Sequence, residues 1–256
     1  MNIKRVKTIL KKIFDDKKIK ENFIILHISL VPFEVTSLKD VKIFWKILNQ
    51  IVHNKFTIIM PSFSLRVKKN WYQNRTESEM GLLTEYFRGK IATQRSIHPL
   101  HSVSMYGPHL KLIPKKISSS SFGKNSIWEW LCNRKDVLNI SLGMGLAGGA
   151  TFVHYAEELF KPPYRNLINL KLAVYDHNEK KINKRFSFFA RKKNKYYEGV
   201  NYWKPVEKNL ISSKIMTKKT FYGKVIFTKM NTFEATRFLK KKLKKNIFYM
   251  GKLKKI

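Results

Sequence analysis

The chain has 256 residues, 52 of them Lys or Arg and 17 Asp or Glu, for a formal net charge of +35 with histidine neutral. At 43% hydrophobic and 13% aromatic residues it is too apolar for a disordered polycation, and its length suits one domain, 1–256, ending in a basic tail over 246–256. No apolar run approaches the roughly 18–20 residues that span a bilayer and the Lys-studded N-terminus lacks a signal-peptide core, so a cytoplasmic protein is expected; the lone Cys132 excludes an intrachain disulfide and a thiolate-rich zinc site.

Val6, Ile9, Leu10, Ile13 and Phe14 recur at the spacing of one helical face, which predicts a short amphipathic helix packed on the domain. Phe23–Ile28 is a continuous apolar run short enough for a buried strand. Val41, Phe44, Trp45, Leu48 and Val52 predict a helix over Leu38–Val52, and Phe56–Met60 a second strand ended by Pro61. Strand, helix, strand argues for a βαβ unit and a largely parallel sheet covered by helices. Ser, Asn, Arg and Glu then dominate to Met80, as in a surface or substrate-proximal loop. The tract Ser118–Ser121 reads as a flexible loop. Val137–Leu142 is a strand that leads through Gly143, Gly145, Gly148 and Gly149 into a helix over Thr151–Phe160. Beyond Asn169, short apolar strands at 170–175, 185–190 and 223–228 alternate with Lys/Asn connections before a helix at Thr232–Leu243.

Five segments carry residues able to do chemistry. His27-Ile28-Ser29-Leu30 lies at the end of the first strand, where ligands gather in α/β sheets; His27 reads as a core histidine with a backbone partner. Glu85 and Arg88, three apart, read as a surface ion pair or as a carboxylate facing substrate. Arg95-Ser96-Ile97-His98-Pro99-Leu100-His101-Ser102 gathers a guanidinium, two imidazoles and two hydroxyls around a proline, a polar ligand-binding loop that lacks a third ligand for a metal. Gly143, Gly145 and Gly148 meet G-x-G-x-x-G, but no acidic residue follows at about 20 positions, so they serve close backbone approach and free amides for an anion or oxyanion. In a helix Glu157 and Glu158 both reach His154; a carboxylate there raises the imidazole pKa and fixes its tautomer, which suits a general base.

These motifs, in this order, carry a resemblance. His27-Ile-Ser29-Leu30, Ile58–Ser64, Thr84-Glu85-x-Phe87-Arg88, Arg95-Ser96-x-His98-Pro99-x-His101-Ser102-Val103, Phe122-Gly123-x-x-Ser126, Leu142-Gly143-x-Gly145 and Thr151-x-x-His154-x-Ala156-Glu157, followed by Pro163-Tyr164-Arg165, resemble the aminoglycoside 3-N-acetyltransferase family. These are the acetyl-CoA-dependent antibiotic N-acetyltransferases. The resemblance implies a layered α/β/α fold with a central mixed, largely parallel sheet. It implies a coenzyme A site at Ser29, Leu30, Ser96, His98 and Ser102, with acetyl-CoA as donor and no metal. His154, partnered by Glu157, would act on the amine of a small amino-sugar substrate, with Glu85 and Glu158 as substrate-facing carboxylates, and transfer would be direct. One departure is Val31-Pro32-Phe33-Glu34, where family members usually turn on glycine.

The charge is unevenly spread. From Lys55 to Arg165 there are 16 basic and 7 acidic residues, net +9, and the flanks hold the remaining +26. A surplus of this sign attracts the phosphates of coenzyme A and repels polycations, so the expected acceptor is a neutral or anionic amino sugar rather than a polycationic drug. Two alternatives use the same surplus: a nucleic-acid-binding protein on a catalytically decayed acetyltransferase fold, or an acyltransferase that takes its acyl group from the acidic acyl carrier protein.

Overall fold

The structure, a computed structural model, describes residues 1–15, 19–115, 118–192, 197–201 and 203–253. Strands β1 (Phe23–Ile28), β2 (Thr57–Pro61), β4 (Gln94–Arg95), β5 (Val103–Tyr106), β6 (Val137–Leu142), β11 (Met216–Phe221) and β12 (Val225–Asn231) form one sheet in the order β11-β12-β6-β1-β2-β5-β4. Its centre is the expected βαβ unit: β1 lies parallel to β2 on one side and to β6 on the other, with Ile25 opposite both Ile59 and Asn139. The flanks correct the expectation of a largely parallel sheet, since four of the six neighbouring pairs are antiparallel. The reason lies in the connections. β11 and β12 are joined by a tight three-residue loop, Tyr222–Lys224, with Tyr222 and Gly223 in the left-handed region (φ 51° and 68°), and so short a loop can only link antiparallel strands.

Alternation along the buried strands sends side chains to two helical layers. Ile24 and Leu26 of β1 join Ile58, Met60, Leu138 and Ile140 under α1 (Ile3–Phe14), α2 (Leu38–Val52) and α3 (Leu82–Lys90). Phe23 and Ile25 join Ile59, Val103 and Met105 on the other face, under α4 (Ile127–Cys132), α5 (Leu146–Gly149), α6 (Val153–Phe160), α7 (Trp203–Ser212) and α8 (Thr232–Lys245). Helices α1, α2, α4 and α8 begin at a side-chain cap: Asn2 Oδ1 accepts from Arg5 N, Ser37 Oγ from Asp40 N, Ser126 Oγ from Glu129 N, and Asn231 Oδ1 from Phe233 N and Glu234 N. Cys132 is buried in the second layer, and burial pushes its thiol up to about 12.

Three small sheets decorate the carboxyl end: β3 (Asn70–Tyr72) with β8 (Ala173–Tyr175), β7 (Arg165–Asn169) with β9 (Ser187–Arg191), and β10 (Tyr197–Asn201) with β13 (Gly251–Leu253). The apolar segments at 170–175 and 185–190 therefore supply β8 and β9 rather than strands of the main sheet. Of the basic tail over 246–256, residues 247–250 form a turn before β13, and 254–256 lie outside the described residues. Among the described residues no helix is long and apolar enough to cross a membrane.

The first helix is part of the core, because Val6, Ile9, Leu10, Ile13 and Phe14 are all buried in it. Replacing Leu10 by Ala should cost about 2–5 kcal/mol in urea unfolding, whereas Lys12→Ala, on the exposed face of the same helix, should stay within about 0.5 kcal/mol.

Candidate active site

The parallel strands β6, β1 and β2 end on one edge of the sheet, and the chain leaves β1 for the first helical layer but leaves β6 for the second. Diverging connections open a crevice between β1 and β6, the place where open α/β sheets bind ligands. Ser29 and Leu30 stand there, Ser29 N donating to Leu142 O at 2.8 Å. Gly143 has φ 77°, and a Cβ on it would lie 2.7 Å from Ser29 O, so the close approach of the two strand ends requires glycine. Across the crevice Val31–Phe33 form a 3-10 turn closed by Glu34 at φ 58°. Glu34 thus takes the left-handed conformation at the departure from the family's glycine. The first amide of α5 is not open to an oxyanion as expected: Leu146 N donates to Glu207 Oε2 at 2.8 Å, and Glu207 Oε1 pairs with Lys218 at 2.5 Å.

Further along the same edge, Arg95 is buried and its guanidinium is fully engaged. Nε donates to Ser102 Oγ at 3.0 Å, Nη1 to the carbonyls of Gln73 and Thr76, and Nη2 to Ser62 O and Ser64 Oγ at 2.9 and 3.1 Å. Trp71 covers it at 4.9 Å. Burial brings its pKa down to about 9. Ser102 has no solvent exposure; its hydroxyl donates to Ser62 O at 2.8 Å and accepts from Arg95. Ser96 Oγ accepts from Val103 N. Glu85 is similarly committed: its carboxylate takes Ser78 N and Arg88 Nε at 2.7 Å each and Arg88 Nη2 at 2.5 Å, and Arg88, only 8% exposed, ties back to Asn74 O. This pair is a clasp on the loop before α3 rather than a mobile surface pair.

His98 is buried and His101 half-buried, and both are uncharged near neutral pH. His98 Nδ1 accepts from the amides of Leu100 and His101, which leaves its proton on Nε2 for Ser187 O at 3.1 Å. Burial lowers His98 to about 4, and burial, with His98 and His154 nearby, holds His101 well below its ordinary value. The serine tract is pinned rather than flexible: Ser121 N donates to Ser187 O, and Ser121 Oγ sits 2.7 Å from His101 Nδ1. Ser96, His98, Ser118 and Ser121 line a cleft of about 620 Å³. His27, in β1, is a core histidine brought to about 4 by burial, with no hydrogen-bond partner for Nε2 among the described residues.

His154 stands at the start of α6, its side chain 19% exposed between the rings of Phe122 and Trp203, at 5.4 and 5.9 Å. Its Nδ1 lies 2.5 Å from Glu157 Oε2, the helical i to i+3 contact expected from spacing. Glu157 has no exposure and also accepts from Arg165 Nη2 at 2.7 Å and Tyr164 OH at 3.0 Å. Arg165 Nη2 is also 3.2 Å from His154 Nδ1, but its hydrogen belongs to the nearer carboxylate, so Nδ1 carries the imidazole proton and Nε2 is left with its lone pair. Two expectations are corrected. The His154 pKa is lowered, not raised, because burial, helped by Arg165 and Arg191, outweighs Glu157. Glu158 does not reach His154; its carboxylate accepts from Ser120 Oγ and from Phe122 N, and burial raises its pKa. Tyr164, Arg165, Phe122, Trp203 and Glu207 had no assigned role in the sequence. The motifs Pro163-Tyr164-Arg165 and Phe122-Gly123-x-x-Ser126 were the available signals for the first three.

The sequence matches the family described as aminoglycoside 3-N-acetyltransferase over residues 25–244. No curated protein sequence matches it. Among solved structures, aminoglycoside acetyltransferase AAC(3)-Xa superposes with a TM-score of 0.76 at 15% identity, covering 96% of this chain and 93% of that one. The YokD protein from Bacillus subtilis does so with 0.73 at 19% identity, covering 95% and 94%, and the binary complex of AAC-IIIb with CoASH with 0.72 at 16%, covering 93% and 96%. These likenesses carry the fold, and the family match spans most of the sequence: the chain belongs to the aminoglycoside 3-N-acetyltransferase family, acetyl-CoA-dependent N-acetyltransferases.

Proposed function

We propose that the protein transfers the acetyl group of acetyl-CoA directly to the amine of an amino sugar, with His154 Nε2 as general base. The observation that carries this reading is the 2.5 Å contact between His154 Nδ1 and a fully buried Glu157, which fixes the tautomer and leaves the Nε2 lone pair on a ring that is partly exposed. An amine is protonated at neutral pH and must lose a proton before it attacks a thioester. His154 takes that proton, and the imidazolium that forms is stabilised by Glu157, as in other carboxylate–histidine pairs. A lowered pKa keeps the base unprotonated at pH 7. No covalent intermediate on the enzyme is needed, and Cys132, buried with a raised pKa, is no nucleophile.

The donor lies along the carboxyl edge of the sheet, entering at the crevice held by Ser29, Leu30 and Gly143 and running toward the loop of Ser96 and His98. Ser102 acts on this path indirectly, by holding Arg95 and hence the loop 62–80 that covers the edge. The AAC-IIIb complex with CoASH supports the assignment of coenzyme A to this fold.

His154→Ala should lower acetyl transfer to an amino sugar by about 10² to 10⁴ while calorimetry still records coenzyme A binding; full turnover in that variant would refute the role. The acid limb of kcat/KM should fall through a pKa below the ordinary histidine value. In Glu157→Gln that limb should move to lower pH, since the carboxylate that favours the imidazolium is gone while Arg165 stays, and kcat should drop by about tenfold or more.

A further inference from the structure

Tyr164, in the loop between α6 and β7, has no role in the transfer proposed above, yet it is buried against the centre of it. The residue is 5% exposed and its OH donates to Glu157 Oε1 at 3.0 Å. The other oxygen, Oε2, is shared by two donors, His154 Nδ1 at 2.5 Å and Arg165 Nη2 at 2.7 Å. The terminal torsion of a glutamate is broad and nearly two-fold, so the rotamer of Glu157 does not choose which oxygen meets the imidazole. Holding Oε2 on His154 takes a donor that keeps Oε1 in place, and Tyr164 supplies it.

The tyrosine is in turn held by the end of the chain. Phe248–Gly251 is a turn closed by Gly251 N donating to Phe248 O at 2.9 Å, and the Phe248 ring lies 6.2 Å from that of Tyr164. Gly251 passes so close that a Cβ on it would stand 2.5 Å from Tyr164 Cε1. Backbone at that distance needs glycine, and it leaves the phenol little room to swing away from Glu157.

We infer that Tyr164 is a positioning residue for the transfer: by fixing Oε1 it aims Oε2 at His154, and the terminal turn at Phe248–Gly251 keeps it there. The inference rests on His154 being the base and adds what keeps that base paired. Without the hydroxyl, Oε1 is a buried carboxylate oxygen that has lost its donor, and the group gains by turning toward the Arg165 guanidinium. The imidazolium of His154 then loses part of its stabilisation, so its pKa falls. The other groups that bear on the pair stay as they are: Arg165 of β7, Arg191 of β9, His101 in the loop before β5, and Glu158, which is turned to the serine tract.

The test is an NMR titration of the His154 imidazole nitrogens in the unaltered protein, Glu157→Gln, Tyr164→Phe and Gly251→Ala, with thermal melting and calorimetry of coenzyme A binding on each. Tyr164→Phe should lower the His154 pKa by about half a unit, less than the roughly one unit or more of Glu157→Gln, and leave coenzyme A binding unchanged. Gly251→Ala, which crowds the ring off Glu157, should shift the pKa in the same direction. A His154 pKa that stays or rises in Tyr164→Phe shows Glu157 holding the imidazole without the tyrosine and overturns the inference, as does a lower melting temperature with the pKa unmoved. An unshifted Gly251→Ala overturns the part given to the terminal turn. Full turnover in His154→Ala removes the base and this inference with it, whereas an inactive His154→Ala beside an unshifted Tyr164→Phe removes the inference alone.

Discussion

Glu157 has no solvent exposure, and an ionised carboxylate so placed costs several kcal/mol unless its oxygens are fully partnered. The partners come from three places: His154 one turn earlier in α6, Tyr164 in the loop after it, and Arg165 at the start of β7. Arg165 also donates to Phe189 O in β9, and two residues earlier on that strand Ser187 O holds His98 and the serine tract. One buried charge thereby links α6, the paired strands β7 and β9, and the loop of His98 and His101. Its partners also explain why its pKa stays low: desolvation pushes it up, but His154 and Arg165 more than offset that.

Arg95 meets the opposite problem with opposite means. Its hydrogen bonds go to neutral oxygens, three backbone carbonyls and two serine hydroxyls, so its charge is solvated by dipoles rather than cancelled. That arrangement is directional. Carbonyls of Ser62, Gln73 and Thr76 converge on one guanidinium, which draws a loop of low regularity over the strand ends and gives the edge of the sheet a defined wall. A lysine has a single donor centre and could not span these acceptors.

The elements that were legible in the sequence are those whose burial leaves a pattern. Phe23–Ile28, Leu38–Val52 and Val137–Leu142 coincide with β1, α2 and β6 because each is buried on both faces or on one helical stripe. Strand β11, MTKKTF, was invisible: only Met216 is buried, and its direction is set by the Tyr222-Gly223 turn, a weaker hairpin signal than Asn-Gly. Periodicity reports burial and says nothing of strand direction, which is why the antiparallel flanks escaped it. At the site the same division holds. Spacing brought His154 to Glu157 correctly, but the sign of the His154 shift depends on Arg165, Arg191 and the depth of the ring, none of them local in sequence. Glu158 shows the limit of helical geometry, since the side chain that could have turned toward His154 finds an amide and a hydroxyl on the serine tract instead.

The lysine surplus and the charge at the site answer to different constraints. Most of the +35 lies outside residues 55–165, on exposed positions such as Lys241, Lys244 and Lys245 of α8. There it produces a field that favours a phosphate-bearing donor and disfavours a polycation during approach, but salt confines that field to about 8 Å. Discrimination between bound acceptors must therefore come from contacts at short range. Near His154 the carboxylate of Glu157 is met inside the protein by the guanidinium of Arg165, whereas Glu158 is held by neutral donors, a serine hydroxyl and a backbone amide, which orient it without cancelling its charge.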